Sequence, residues 1–138
     1  VRKPLAGLKV ACYYGCLLTR PPGVTGAVRA EYPDTIDRLM RALGATPVDW
    51  DRKVACCGAS LSATETEIVL EMSGGILPNA KSCHTNLDGR QTQMKGSPII
   101  PAMYFTQLMA IALGMPGDAA LDRNMINPRP LLAGRGLL

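Results

Sequence analysis

The alternation of apolar and polar runs predicts strands and helices in turn. Leu8-Lys9-Val10-Ala11-Cys12-Tyr13-Tyr14 is short, mostly apolar and closed by Gly15, which predicts a strand with Cys16 just past its C-terminal end. Thr19 to Glu31 carries Thr-Arg-Pro-Pro-Gly-Val-Thr-Gly and no periodicity, so a loop is expected there. Asp34 then offers an N-cap, and Ile36, Leu39, Met40 and Leu43 recur at helical spacing until Gly44 stops the helix. Ala45 to Trp50 predicts a second short strand, weakened by Pro47, and Cys56-Cys57-Gly58 follows it. Ser62 with Glu65 forms a capping-box pattern ahead of the stripe Ile68, Val69, Met72 and Ile76, which runs towards Leu77. A short helix is expected to begin in the polar run Asn86 to Gln91, a third short strand at Ile99-Ile100, and a buried helix from Met103 to Leu113, closed by Gly114 and Pro116. The tail Asn127-Pro128-Arg129-Pro130-Leu131-Leu132 reads as extended chain on the surface.

Strand, helix, strand, helix is the order of an α/β unit, a small parallel sheet flanked by helices. Sites in such sheets gather at the C-terminal strand ends, which is where the cysteines are expected to collect. The 138 residues, 47% hydrophobic and 19% charged, suit a single globular domain. No apolar stretch approaches the roughly 18–20 residues of a membrane span, and no long apolar segment follows Val1-Arg2-Lys3-Pro4. These features predict a soluble, cytoplasmic chain. The net charge of +4 is spread without a basic cluster and the aromatic residues are few, so a nucleic-acid surface is not expected.

The five cysteines, at positions 12, 16, 56, 57 and 83, change the picture more than the charge does. An odd count with two neighbours adjacent is a poor disulfide scaffold, which points to metal or redox chemistry in a reducing compartment. Thiolates are soft ligands for iron-sulfur clusters, zinc or copper, and a centre held from separate loops needs three or four of them. Cys16, Cys56, Cys57 and Cys83 are the candidate set. Adjacent Cys56 and Cys57 fit two metal atoms of one cluster better than one tetrahedral zinc, whose paired ligands are usually spaced by two to four residues. Gly58 leaves room beside them. Cys12, inside the first strand, is expected to be core.

The runs Tyr13-Tyr14-Gly15-Cys16-Leu17-Leu18-Thr19-Arg20-Pro21, Cys56-Cys57-Gly58-Ala59-Ser60-Leu61-Ser62 and Cys83-His84-Thr85-Asn86-Leu87-Asp88 resemble the CCG, or cysteine-rich, domain found in the B subunits of heterodisulfide reductases. So do Tyr104-Phe105-Thr106-Gln107-Leu108 and Asn127-Pro128-Arg129-Pro130-Leu131-Leu132, and the likeness is greatest to the C-terminal half of those subunits. The resemblance implies a noncubane 4Fe-4S cluster that reduces a disulfide with electrons from partner subunits of a heterodisulfide reductase-like complex. It places Cys16, the pair Cys56 and Cys57, and Cys83 as ligands, and it implies that residues 1–138 form one such domain of a longer polypeptide. The family pattern ends in Cys-x-x-Cys, farther from the pair than Cys83 is here, and position 80 is Ala. The expectation is therefore that a stretch carrying one further cysteine and a strand is absent near residues 77–83.

His84, the single histidine, is the candidate proton donor to a departing thiolate, since an imidazole pKa near 6.5 suits that task. Arg52 and Lys53 are expected on a solvated face, Tyr13 and Tyr14 as packing, and the methionines as core filling. The competing reading is a docking module of a redox complex whose cysteines hold zinc or no metal. A metal-free thiol-disulfide exchanger is ranked below both, because the two cysteines lack the usual two intervening residues.

Overall fold

Alternation along the first strand decides which side of the molecule each of its residues serves. Leu8, Val10, Cys12 and Tyr14 are buried in the main apolar core, whereas Tyr13 projects the other way into a separate small cluster, as the two-residue period of a strand requires. The computed structural model that shows this describes residues 1–58, 60, 64–65, 67–69, 84–93 and 99–138, with the backbone alone for 84–86. The hydrogen-bonded part of the strand, β1, is Lys9–Ala11, shorter than the apolar run around it. It pairs in parallel with β2, Thr46–Val48, in the register Lys9 to Thr46, Val10 to Pro47 and Ala11 to Val48. The Thr46 N–H donates to the Leu8 carbonyl at 2.9 Å, so the next nitrogen, that of Pro47, faces the outer edge where no donor is needed.

The crossover between the strands contains three helices: α1, Cys16–Thr19; α2, Pro22–Thr25; and α3, Thr35–Ala42. The expected loop over 19–31 thus holds short helical turns. Pro22 opens α2, where its fixed φ suits a first helical turn, and Gly26 closes it at φ +68°. Asp34 does stand at the N-cap of α3, but its carboxylate lies 3.7 Å from Arg38 Nε instead of bonding the backbone. Gly44 ends that region at φ +90°, where a Cβ would meet Pro4 Cβ at 3.1 Å and the Leu5 nitrogen at 3.2 Å.

In the second half, α4 is His84–Gly89 and continues as a 3-10 turn, Arg90–Gln93. Helix α5 is Phe105–Ala112, and α6 is Arg129–Ala133. Buried Ile111, Leu108 and Leu132 pack with Leu5, Val10 and Met40 in the main core. Residues 67–69 are helical, with the Val69 N–H on the Glu65 carbonyl at 3.1 Å; Ser62 of the expected capping box and Met72 and Ile76 of the expected stripe lie outside the described residues. The sheet and flanking helices are those of the expected α/β class.

Two expected elements differ. Ile99-Ile100 is not a strand: the Gln91 side-chain amide takes both the N–H and the C=O of Ile100, each at 2.7 Å, which leaves neither for a sheet. The tail is not extended, because Asn127 Oδ1 accepts the Arg129 N–H at 3.0 Å and starts α6, which seats Leu132 at 0% exposure. Residues 102–126 are tied down by buried polar groups. Asp88, 0% exposed, accepts N–H bonds from Ala102, Met125 and Ile126 at 3.1, 2.7 and 3.0 Å. Among the described residues no helix is long and apolar enough to cross a membrane.

Candidate functional site

Cys16 is the first residue of α1, five positions beyond the end of β1, and Cys56 and Cys57 lie in the loop that follows β2. Cys16 is half-buried, Cys56 exposed, and Cys57 buried; Cys12 is buried too, and none of these four is in a disulfide. Cys83 lies outside the described residues. His84 opens α4 through its backbone, and its side chain lies outside them as well.

Three segments that carry candidate residues meet in the small apolar cluster on the far side of β1. Tyr13, Cys57 and Leu87 are its buried members, with Trp50 and Ala55 packed against them. Tyr13 precedes Gly15-Cys16, Cys57 belongs to the vicinal pair, and Leu87 stands one helical turn after His84. The Tyr13 and Trp50 rings are 6.2 Å apart and tilted, the Tyr13 hydroxyl donates to the Ala55 carbonyl, and Trp50 Nε1 donates to the Cys12 carbonyl at 3.0 Å. The first cysteine loop is thereby fastened to the second.

A polar network fastens the same two loops from the core side. Asp37, 2% exposed, accepts from the Tyr14 hydroxyl at 2.7 Å and from Lys53 Nζ at 2.9 Å. The Tyr14 hydroxyl in turn accepts the N–H groups of Ile36 and Asp37 at 2.7 and 3.2 Å, and the Tyr14 N–H donates to the Lys53 carbonyl at 2.7 Å. Lys53, expected on a solvated face, has a side chain only 12% exposed, because its ammonium reaches back to the buried carboxylate. Arg52 does lie in solvent. Burial and the Asp37 hydrogen bond push the Tyr14 hydroxyl pKa up. Burial, then the Asp37 charge, push the Cys12 thiol up to about 12, so Cys12 stays a neutral core thiol.

Sequence reasoning missed Asp37 and Lys53 as parts of the site's support. The available signal was position: Asp37 lies on the edge of the stripe formed by Ile36, Met40 and Leu43, where a carboxylate at the core boundary needs a partner.

The pair itself has metal-ligand chemistry. The Gly58 N–H donates to Cys56 Sγ, 3.4 Å away. Gly58 does this at φ +72°, a left-handed backbone that glycine adopts without strain. Soft sulfur donors on two loops, one of them with an N–H aimed at it, fit a thiolate-held centre in donor type. Among the described residues no three cysteine, histidine, aspartate or glutamate side chains converge as a metal-binding group.

The comparisons with known proteins give relatives of a redox class. No protein-family model matches the chain. It is 32% identical over 145 residues to the B subunit of the ferredoxin/F(420)H(2)-dependent CoB-CoM heterodisulfide reductase of Methanosarcina acetivorans, covering 91% of this chain and 48% of that one. It is 31% identical to the B subunit of the ferredoxin:CoB-CoM heterodisulfide reductase of Methanosarcina mazei, with the same coverage. It is also 29% identical over 148 residues to the 8-methylmenaquinol:fumarate reductase membrane anchor subunit of Wolinella succinogenes, covering 95% of this chain and 52% of that one. These relatives are oxidoreductase subunits, and the chain spans about half of their length. The matched stretches of 145 and 148 residues exceed all 138 residues of the chain while taking in only part of it. The relatives therefore carry residues within the matched region that this chain lacks.

Proposed function

We propose that the chain is a component of a heterodisulfide reductase-like redox complex, and that Cys16, Cys56, Cys57 and Cys83 hold a noncubane 4Fe-4S cluster at which a small disulfide is reduced. The observation that supports this reading is the cluster of Tyr13, Cys57 and Leu87, which packs the segment before Cys16 and the loop of the vicinal pair against α4. The similarity to the B subunits of two heterodisulfide reductases supports the redox role. The longer matched stretch in those relatives supports the expectation that a segment is absent here, and the family pattern is our ground for placing it beside Cys83.

When bound, such a cluster supplies single electrons and iron sites that accept thiolate sulfur. The chain's own contributions are local. Buried Cys57 offers sulfur shielded from water, and exposed Cys56 offers the sulfur on the approach side, where it accepts the Gly58 N–H. In this reading His84 gives a proton from its ring to one departing thiolate, and partner subunits donate the electrons. The compartment proposed is the cytoplasm, where thiols stay reduced.

The short spacing between the vicinal pair and Cys83 favours a second reading, a docking module that holds zinc or no metal. Anaerobic reconstitution with iron and sulfide, followed by elemental analysis and electron paramagnetic resonance of the oxidised sample with a thiol present, separates the two. Bound iron with a thiol-dependent paramagnetic signal supports the cluster, and zinc or no metal overturns it.

A further inference from the structure

A cavity lies beside Cys16, and no cysteine lines it. It measures about 560 Å³ and opens between α1, the turn that follows α2 and the start of α3, a volume typical of sites for small organic ligands. Leu18 and Phe105, 68% and 42% exposed, give it an apolar wall. Arg29 and Arg38 line it, and they are not equivalent. Arg38 has Asp34 at 3.7 Å, whereas Arg29 makes no ion pair among the described residues.

An apolar wall with one uncommitted cation is complementary to a particular kind of ligand. A neutral apolar molecule leaves Arg29 unused, and a compact inorganic anion leaves the apolar wall wet. An amphipathic anion satisfies both, because a carboxylate presents two oxygens to the guanidinium fork while its hydrocarbon body covers Leu18 and Phe105. We propose that this cavity binds a small carboxylate with a short apolar body, its head on Arg29. The assignment does not depend on the metal reading, since no cysteine lines the cavity.

The test is titration of the full 138-residue chain, labelled with nitrogen-15, with sodium pentanoate, and in parallel with 1-pentanol and with inorganic phosphate at equal ionic strength. Saturable amide shifts confined to Leu18, residues 25–29 and the start of α3 are expected for pentanoate. Affinity is expected to fall about tenfold or more for pentanol and for Arg29→Gln, the usual size of a lost charge-assisted hydrogen bond. Arg41→Gln, an exposed arginine away from the cavity, is the control and is expected to change nothing. Arg29 is itself exposed, so its variant is expected to fold, and the unshifted amides of the two strands check this. Absence of saturable pentanoate shifts overturns the proposal, as does equal affinity for pentanol, equal affinity for phosphate, or an Arg29→Gln variant that binds like the parent.

Discussion

Asp37→Ala tests the physical core of the account, because a single carboxylate there joins both cysteine loops to α3. The substitution leaves the Lys53 ammonium, 12% exposed, without its partner at 2.9 Å, and the Tyr14 hydroxyl without its acceptor at 2.7 Å. Breaking a buried ion pair costs about 3–5 kcal/mol because the orphaned charge stays buried. Lys53 is partly exposed, and exposed Asp49, 3.9 Å away, can attract it, so the lower end applies. The tyrosine adds about 1 kcal/mol. The expected loss is therefore about 3–4 kcal/mol in urea denaturation, and Asp37→Ala with Lys53→Met is expected to recover at least about 1 kcal/mol of it by removing the stranded charge. Tyr14 lies two residues before Cys16, and Lys53 three before Cys56, so the looser loops are also expected to speed alkylation of buried Cys57, read by mass spectrometry. A loss below about 1 kcal/mol with no recovery in the double variant refutes the argument that this pair holds the loops.

Four other outcomes follow from the same geometry. In the metal-free chain, alkylation is expected first at exposed Cys56, then at half-buried Cys16, and last at Cys57 and Cys12, as timed quenching and peptide mapping will show. The Cys12 thiol is raised from 9.0 to about 12 by burial and Asp37. Its stabilising contribution is thus complete below pH 9 and declines as the pH rises towards 12, by at most about 1.4 kcal/mol per pH unit; Cys12→Ala is expected to flatten this alkaline loss in pH-dependent denaturation. Asp88→Asn sets an amide donor against buried N–H groups and is expected to cost about 2–3 kcal/mol in urea denaturation, with faster hydrogen exchange at Ala102, Met125 and Ile126. Gly44→Ala, strained at φ +90° and crowded by Pro4 and Leu5, is expected to lower stability by more than about 1 kcal/mol in thermal unfolding.

The parts of the fold legible in the sequence were those written locally. The run around β1, the stripe of α3 and the helix stop at Gly44 need only periodicity and glycine chemistry, and each stands where those rules place it. Ile99-Ile100 failed because its backbone groups are claimed by Gln91, a tertiary choice that no local pattern reports. The tail failed because Asn127 starts a helix whose buried Leu132 repays the turn only through core contacts distant in sequence. At the candidate site, the burial of Cys12 followed from its place in the strand. Lys53 was misread because its partner, Asp37, lies in another element, sixteen positions earlier, and charge patterns within one segment cannot show that pairing.

The most direct measurement is iron content per chain after anaerobic reconstitution, made on the parent and on Cys16→Ser, Cys57→Ser and Cys12→Ser. The account predicts about four irons with a sulfide complement in the parent, loss of most of that iron in Cys16→Ser and Cys57→Ser, and no loss in Cys12→Ser. Zinc in place of iron, or iron retained alike in all three variants, contradicts a cluster held by these cysteines.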